Sequence, residues 1–192
     1  MGLSFKYLIL IIFVLHFDVV ISLAGGPIRA AKLPQLLDLV EQSNGGVITS
    51  FNIEIVNLME SIASEQKGNP IKKLSGNWKL IYTTEKEINF FYTWPFAKPE
   101  LISQRVDTKM NTLENLISFK GGGSFCVCGI IDSFDANKCI FEFKSATIQA
   151  WNNEFTIPPV GKGYFETIYC NDKYRLSRDS RGDYSISEKL KN

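Results

Sequence analysis

The hydrophobic pattern changes period once along this chain, near residue 74. Before it, Leu36, Leu37 and Val40, and then Phe51, Ile55, Leu58, Met59 and Ile62, recur at helical spacing. Asn52, Glu54, Asn57, Glu60 and Ser61 take the opposite face of the second run, which makes it amphipathic. The pattern predicts a short helix over 33–41, broken by Ser43-Asn44-Gly45-Gly46. A second helix should start near Ile48, capped by Thr49 or Ser50, and stop by Gly68-Asn69-Pro70. Its apolar stripe is expected to plug or flank a sheet.

From Leu74 onward the period is two. Trp78, Leu80 and Tyr82 fall on one face of an extended segment, and Lys79, Ile81 and Thr83 on the other. Further strands are predicted at 101–108, 112–119, 124–133, 139–148, 163–169, 174–178 and 184–187. Turn-forming residues separate several of them: Gly121-Gly122-Gly123, Asp135-Ala136-Asn137, Asn171-Asp172 and Ser180-Arg181-Gly182. About eight short strands with no helix between them predict a mainly β fold, a sandwich or an antiparallel up-and-down barrel. A barrel of that size is either filled by its own side chains or holds one small ligand. Parity counted from Trp78 turns Trp78, Leu80, Tyr82, Phe141, Phe143, Phe165 and Tyr169 inward, as core and as candidates to line a ligand cavity. A single bulge would reverse that parity.

Between the first two strands, Ile88 to Phe96 breaks the pattern. Phe90, Phe91, Tyr92, Trp94 and Phe96 crowd a connection that contains Pro95 and has no clear period. Such a stretch is either a lid folded over the barrel mouth or a surface for a membrane or protein partner.

Composition narrows the reading. The 192 residues are 45% hydrophobic and 21% charged with a net charge of +1, which fits one globular domain and no nucleic-acid partner. Residues 1–24 read as a signal peptide: Lys6, an apolar run from Tyr7 to Leu15, then Ser22-Leu23-Ala24 with small residues at the cleavage positions. His16 and Asp18 interrupt the run, which falls short of the roughly 20 residues of a membrane span. Residues 25–32 carry Arg29 and Lys32 and no acid, as a short transit-like extension or a linker would. The folded domain is expected over 33–192.

His16 is the sole histidine, so cleavage leaves no imidazole for a Ser-His-Asp triad, a Cys-His pair or a His-containing zinc site. Asp107, Glu114, Glu142 and Glu166 alternate with apolar residues, which puts them on the solvent face and argues against a catalytic centre. Cys126, Cys128, Cys139 and Cys170 lack zinc-ribbon spacing and are read as free, small apolar side chains with no metal. A reducing compartment would keep them so, whereas secretion would predict disulfides.

Two resemblances add to this. Gly76-Asn77-Trp78 on a first strand resembles the G-x-W of lipocalins, in which a late arginine packs over the Trp ring and closes the barrel end. Arg175, Arg178 and Arg181 are the candidates, Arg175 and Arg178 foremost, and such a contact contributes roughly 0.5–2 kcal/mol. More widely, the chain resembles the PAP/fibrillin family of plastid lipid-associated proteins over about residues 33–187. The resemblance rests on Leu58-Met59-Glu60, Leu74 to Thr84, Gln104-Arg105-Val106-Asp107, Asn115 to Phe119, Pro158 to Phe165 and Tyr169 to Gly182. Asn171-Asp172 and Asp179 depart from its usual pattern, and the last strand, Tyr184 to Ser187, is more polar than usual. The resemblance implies a lipocalin-like barrel, delivered to the plastid behind a signal peptide, with secretion as the alternative destination. It implies binding or organising of apolar lipids, quinones or carotenoids at plastid membranes, thylakoids or plastoglobules. It implies no catalysis and no cofactor. The alternative role is an interaction subunit with a side-chain-filled barrel, docked on a photosystem or antenna complex. A lipid isomerase or cyclase ranks last, because it would need an inward-facing acid.

Overall fold

The computed structural model describes residues 32–93, 98–150, 153–158 and 161–191. The signal-peptide segment and residues 25–31 of the extension lie outside them, while Lys32 already belongs to the first helix. The apolar stripes of the N-terminal region form helix α1 (Lys32–Gln42) and helix α2 (Asn52–Ala63). Ser43 breaks α1 by accepting a hydrogen bond from the Gly46 amide at 3.1 Å, and Gly45 and Gly46 turn the chain at positive φ. Neither Thr49 nor Ser50 caps α2. They belong to a 3-10 turn, Thr49–Phe51, that runs straight into the helix, and its carbonyl at Thr49 takes the Asn52 amide. A further 3-10 turn, Pro70–Lys73, follows Asn69, whose side chain accepts from the Ile71 amide.

Nine strands follow: β1 (Gly76–Thr83), β2 (Pro99–Asp107), β3 (Thr112–Phe119), β4 (Ser124–Asp135), β5 (Lys138–Ala150), β6 (Asn153–Ile157), β7 (Lys162–Cys170), β8 (Tyr174–Asp179) and β9 (Tyr184–Lys189). All pairs are antiparallel. The order β4-β3-β2-β1-β9-β8-β7-β5 closes on itself through β4–β5, giving a closed eight-stranded barrel, while β6 pairs with β5 alone and keeps an open edge. β6 was not foreseen. It pairs with the distal half of β5, from Ala146 to Ala150, where β7 no longer reaches, and so extends the wall at one end. The connection 84–98 also differs from the expected irregular stretch, since it contains helix α3 (Lys86–Thr93).

Bulges decide which side chains enter the barrel. Trp78 and Leu80 point inward, but the register shifts between Leu80 and Tyr82 against β9. Tyr82 therefore turns outward, where it packs with α1, α2, Leu176 and Ile186 and donates to Asn52 Oδ1 at 3.0 Å. A second shift, between Thr167 and Tyr169 against β8, turns Tyr169 outward into the same cluster. The inward assignments of Tyr82 and Tyr169 are thus reversed. The fold has two apolar layers: the helices on the outside of β1, β7, β8 and β9, and a separate cluster inside the barrel around Trp78, Val106, Leu113, Ile131, Cys139 and Phe165.

Gly46 is where the helical layer meets the sheet most closely. It has φ 103°, and a Cβ there would overlap the Thr83 carbonyl oxygen. Gly46→Ala is expected to lower the unfolding free energy by about 2 kcal/mol or more in urea denaturation. Gly68, also at positive φ but with nothing near its Cβ position, should lose only about 1 kcal/mol on the same change.

Candidate functional site

The barrel has a closed end and a rim. At the closed end, the Trp78 ring is fully buried and its Nε1–H donates to Leu74 O at 2.7 Å, which fixes the 3-10 segment under the barrel. The Arg175 guanidinium lies between two rings, 5.3 Å from the Trp78 centroid and 5.2 Å from that of Phe165. Lys189 Nζ covers the Trp78 ring from another side at 5.0 Å, and its chain crosses the space left free at Gly76. Of the arginines expected to close the barrel, Arg175 does so. Arg178 points outward instead and ties the barrel to α2, bonding Glu166 at 2.7 Å with Glu60 at 3.9 Å.

Above this floor the two halves of the wall differ. Trp78 stands opposite Gln104, Gln104 opposite Asn115, Asn115 opposite Val127, and Val127 opposite Ala146. Gln104 Nε2 donates to Asn115 Oδ1 at 2.9 Å. The neighbouring inward positions on those strands are apolar: Ile102, Ile117, Phe125 and Ile148. On the other half, Ser177 stands opposite both Thr167 and Ser185, Ser185 opposite Thr83, and Ser187 opposite both Arg175 and Leu80. These hydroxyls and Arg175 form a polar wall that sequence reasoning missed. The alternation is visible in Tyr174 to Ser177 and Tyr184 to Ser187, but the sequence analysis assigns no inward residue on either strand.

Phe141, Phe143 and Phe165 do line the interior, in a stack with Phe141–Phe143 centroids 4.9 Å apart and Phe141–Phe165 6.1 Å apart. Leu80, Phe141 and Phe143 are only half-buried although they face inward.

A family model described as PAP_fibrillin matches residues 31–187, which is most of the chain and all nine strands but the last residues of β9. The chain belongs to the PAP/fibrillin family. It is 33% identical over 181 residues to "Probable plastid-lipid-associated protein 11, chloroplastic" of Arabidopsis thaliana, covering 88% of this chain and 83% of that protein. No solved structure matches.

The rim of this PAP/fibrillin barrel carries the aromatic stretch. Asn89 Nδ2 donates to Thr83 O at 3.0 Å and Gly46 O at 3.2 Å, which pins α3 across the end of β1. Phe91 packs on Phe119 at the end of β3 (centroids 6.1 Å) and meets Phe90 edge-on at 6.3 Å. Phe90 is 55% exposed, and Tyr92 is half-buried. Across the mouth, Phe155 of β6 stands opposite Ile148 and is 56% exposed. Trp94 and Phe96 lie outside the described residues. Among those described, no helix is long and apolar enough to cross a membrane.

The remaining chemistry lies outside the barrel, apart from two thiols packed in its interior. Glu142 pairs with Lys144 and Lys162, and the Asp107 carboxylate accepts the amides of its own turn. Cys139 and Cys170 are buried free thiols; burial pushes the Cys139 thiol up to about 12, against the pull of Arg175. Cys126 and Cys128 share the outer face of β4 with their Sγ atoms 3.9 Å apart, and Glu114 of β3 lies beside them. Burial first, and then the Cys128 contact, raises the Cys126 thiol to about 12, so that it stays protonated at neutral pH unless a metal displaces the proton.

α3 is held to the β8–β9 turn by Arg181, which bonds Glu85 at 2.8 Å and Asp179 at 3.1 Å and approaches Glu87 at 4.0 Å. Burial raises Glu85 to about 7 despite Arg181, with Asp179 and Asp183 adding to the rise. Between pH 4.5 and 7 the folded chain therefore keeps a proton that the unfolded chain has lost, and stability must fall as pH rises through that window. Thermal denaturation should show Tm dropping by several degrees from pH 5 to pH 8, roughly 2 kcal/mol from this group. Glu85→Gln should remove most of that drop.

Proposed function

We propose that this chain is a plastid lipid-associated protein that holds an apolar lipid, quinone or carotenoid in its barrel and exchanges it at a membrane or plastoglobule surface through the aromatic rim. The observation that carries the reading is the half-open upper interior, lined by Leu80, Phe141 and Phe143 and bordered by the exposed rings of Phe90 and Phe155. Inward-facing aromatic surface that stays partly accessible next to an exposed apolar rim is what a lipid carrier requires. Among the described residues no acid faces the apolar upper barrel, which supports binding or organising a ligand over transforming it. Plastid residence is supported by the family, by the chloroplastic relative and by the leader pattern in residues 1–32.

A second reading keeps the same rim but gives it to a photosystem or antenna protein. The filled lower barrel, packed with Trp78, Leu113, Phe165 and Arg175, favours it to that extent.

Flotation with galactolipid vesicles separates the two. The wild type should partition to the vesicles, and Phe90→Glu should reduce that by about fivefold or more, since an acidic group at an interface position is costly to insert, with Tm unchanged. Organic extracts of natively isolated protein should contain a stoichiometric lipid or pigment by mass spectrometry. Extracts without one, together with no partition of the wild type, would favour the docking role.

A further inference from the structure

Arg175 is 4% exposed and carries two donor nitrogens, Nε and Nη1, that have no hydrogen-bond partner. Its positive charge is also unanswered, because it enters none of the ion pairs among the described residues. Asp179, the acid nearest along the same strand, is engaged by Arg181 and by the amides of its turn. Burial lowers the Arg175 pKa only to about 10, so the guanidinium stays charged at neutral pH. Two rings flank it, but a ring face supplies no hydrogen-bond acceptor in the guanidinium plane. A buried cation with orphan donors is half of an ion pair, and leaving such a half alone costs several kcal/mol.

The next inward groups along the wall are orphans too. Ser177 Oγ, one inward step from Arg175 on β8, and Thr167 Oγ1, opposite Ser177 on β7, are both buried without partners. Inward neighbours on one strand are roughly 6.6 Å apart and paired strands about 4.8 Å apart, so these groups converge on one spot inside the barrel. Above that spot the stack of Phe165, Phe141 and Phe143 leads along β5 toward Ile148 and the rim. From Cys139 to Ile148 this wall runs roughly 30 Å along the strand, comparable to the length of a long acyl or prenyl tail.

We infer that the barrel is built for an amphiphile with a carboxylate head, seated head-down on Arg175, Ser177 and Thr167 with its tail running up the phenylalanine stack to the rim. This rests on the lipid-binding reading above and narrows it, because a pure hydrocarbon or carotenoid would leave the charge and all four orphan atoms unanswered. A carboxylate supplies acceptors for Nε and Nη1 and for both hydroxyl protons, and it neutralises the buried charge. A phosphate or sulfate head is bulkier and doubly or strongly hydrated, which suits a floor already filled by Trp78 and Phe165 less well.

The test uses displacement of a neutral fluorescent probe, N-phenyl-1-naphthylamine, from the wild-type protein by oleic acid, oleyl alcohol and methyl oleate at pH 8. These share one tail and differ in the head. Oleate should bind about tenfold or more tightly than the alcohol or the ester, as a charge-assisted pair inside a barrel demands. In Arg175→Met the difference should shrink to under about twofold while the neutral probe still binds, with Ser177→Ala giving an intermediate loss if the arginine variant fails to fold. Equal affinity for the three ligands in the wild type would overturn the head-group assignment and leave lipid binding standing. If neither the probe nor any of the three binds, lipid binding itself falls, and this inference with it.

Discussion

One contact sets the geometry of the molecule: a guanidinium from β8 lying between an indole from β1 and a phenyl ring from β7. Strands from the beginning and the end of the β region meet there, and the 3-10 turn before β1 is drawn in by the Trp78 Nε1–H bond to Leu74. The cation–π contacts contribute about 0.5–2 kcal/mol each. Removing a guanidinium from water costs several kcal/mol. The floor is therefore a poor device for stability alone. An apolar side chain in place of Arg175 would pack the same space at less cost, which is why the charge reads as functional.

Much of this was legible from the chain, within limits that bulges impose. Alternation gave the strands, and Gly76-Asn77-Trp78 with a late arginine gave the closed end. Parity held for Trp78, Leu80, Phe141, Phe143 and Phe165. It failed for Tyr82 and Tyr169, because a one-residue slip precedes each. A bulge leaves no mark in composition: Leu80-Ile81-Tyr82 and Thr167-Ile168-Tyr169 look like uninterrupted strand. The slips have a structural use. They turn both tyrosines onto the outer face just where α1 and α2 need apolar partners, so one strand serves the interior with its first half and the helical layer with its second.

Two elements at the rim escaped the pattern for a different reason. β6 spans Asn153–Ile157, is mostly exposed, and exists because β5 outruns β7. It folds back on the strand just before it in the chain, from Ala150 opposite Asn153 to Ala146 opposite Ile157. α3 is only eight residues long, too short to hold its helical state in isolation. Tertiary bonds hold it instead, from Asn89 to the ends of β1 and of the glycine turn, and from Arg181 through Glu85. Phe90, Phe91 and Tyr92 are thus mounted on a helix placed by polar contacts, with the Phe90 ring 55% exposed.

The separation of the two apolar layers explains how the interior can remain imperfect. Leu36, Ile55, Met59, Tyr82, Leu176 and Ile186 are buried outside the barrel, at most 1% exposed. Their burial, at roughly 1.5–3 kcal/mol for each large side chain, does not depend on what occupies the interior. Closure of the barrel removes most of the edge that could pair with other chains, leaving that of the short β6. With stability supplied from outside, the inner wall is released from the usual demand for a dry, fully satisfied core. Orphan hydroxyls and an unpaired cation can persist there, and half-open phenylalanines can face a space meant for something else. A barrel that relied on its interior for stability could not keep both a buried charge and an unsealed mouth.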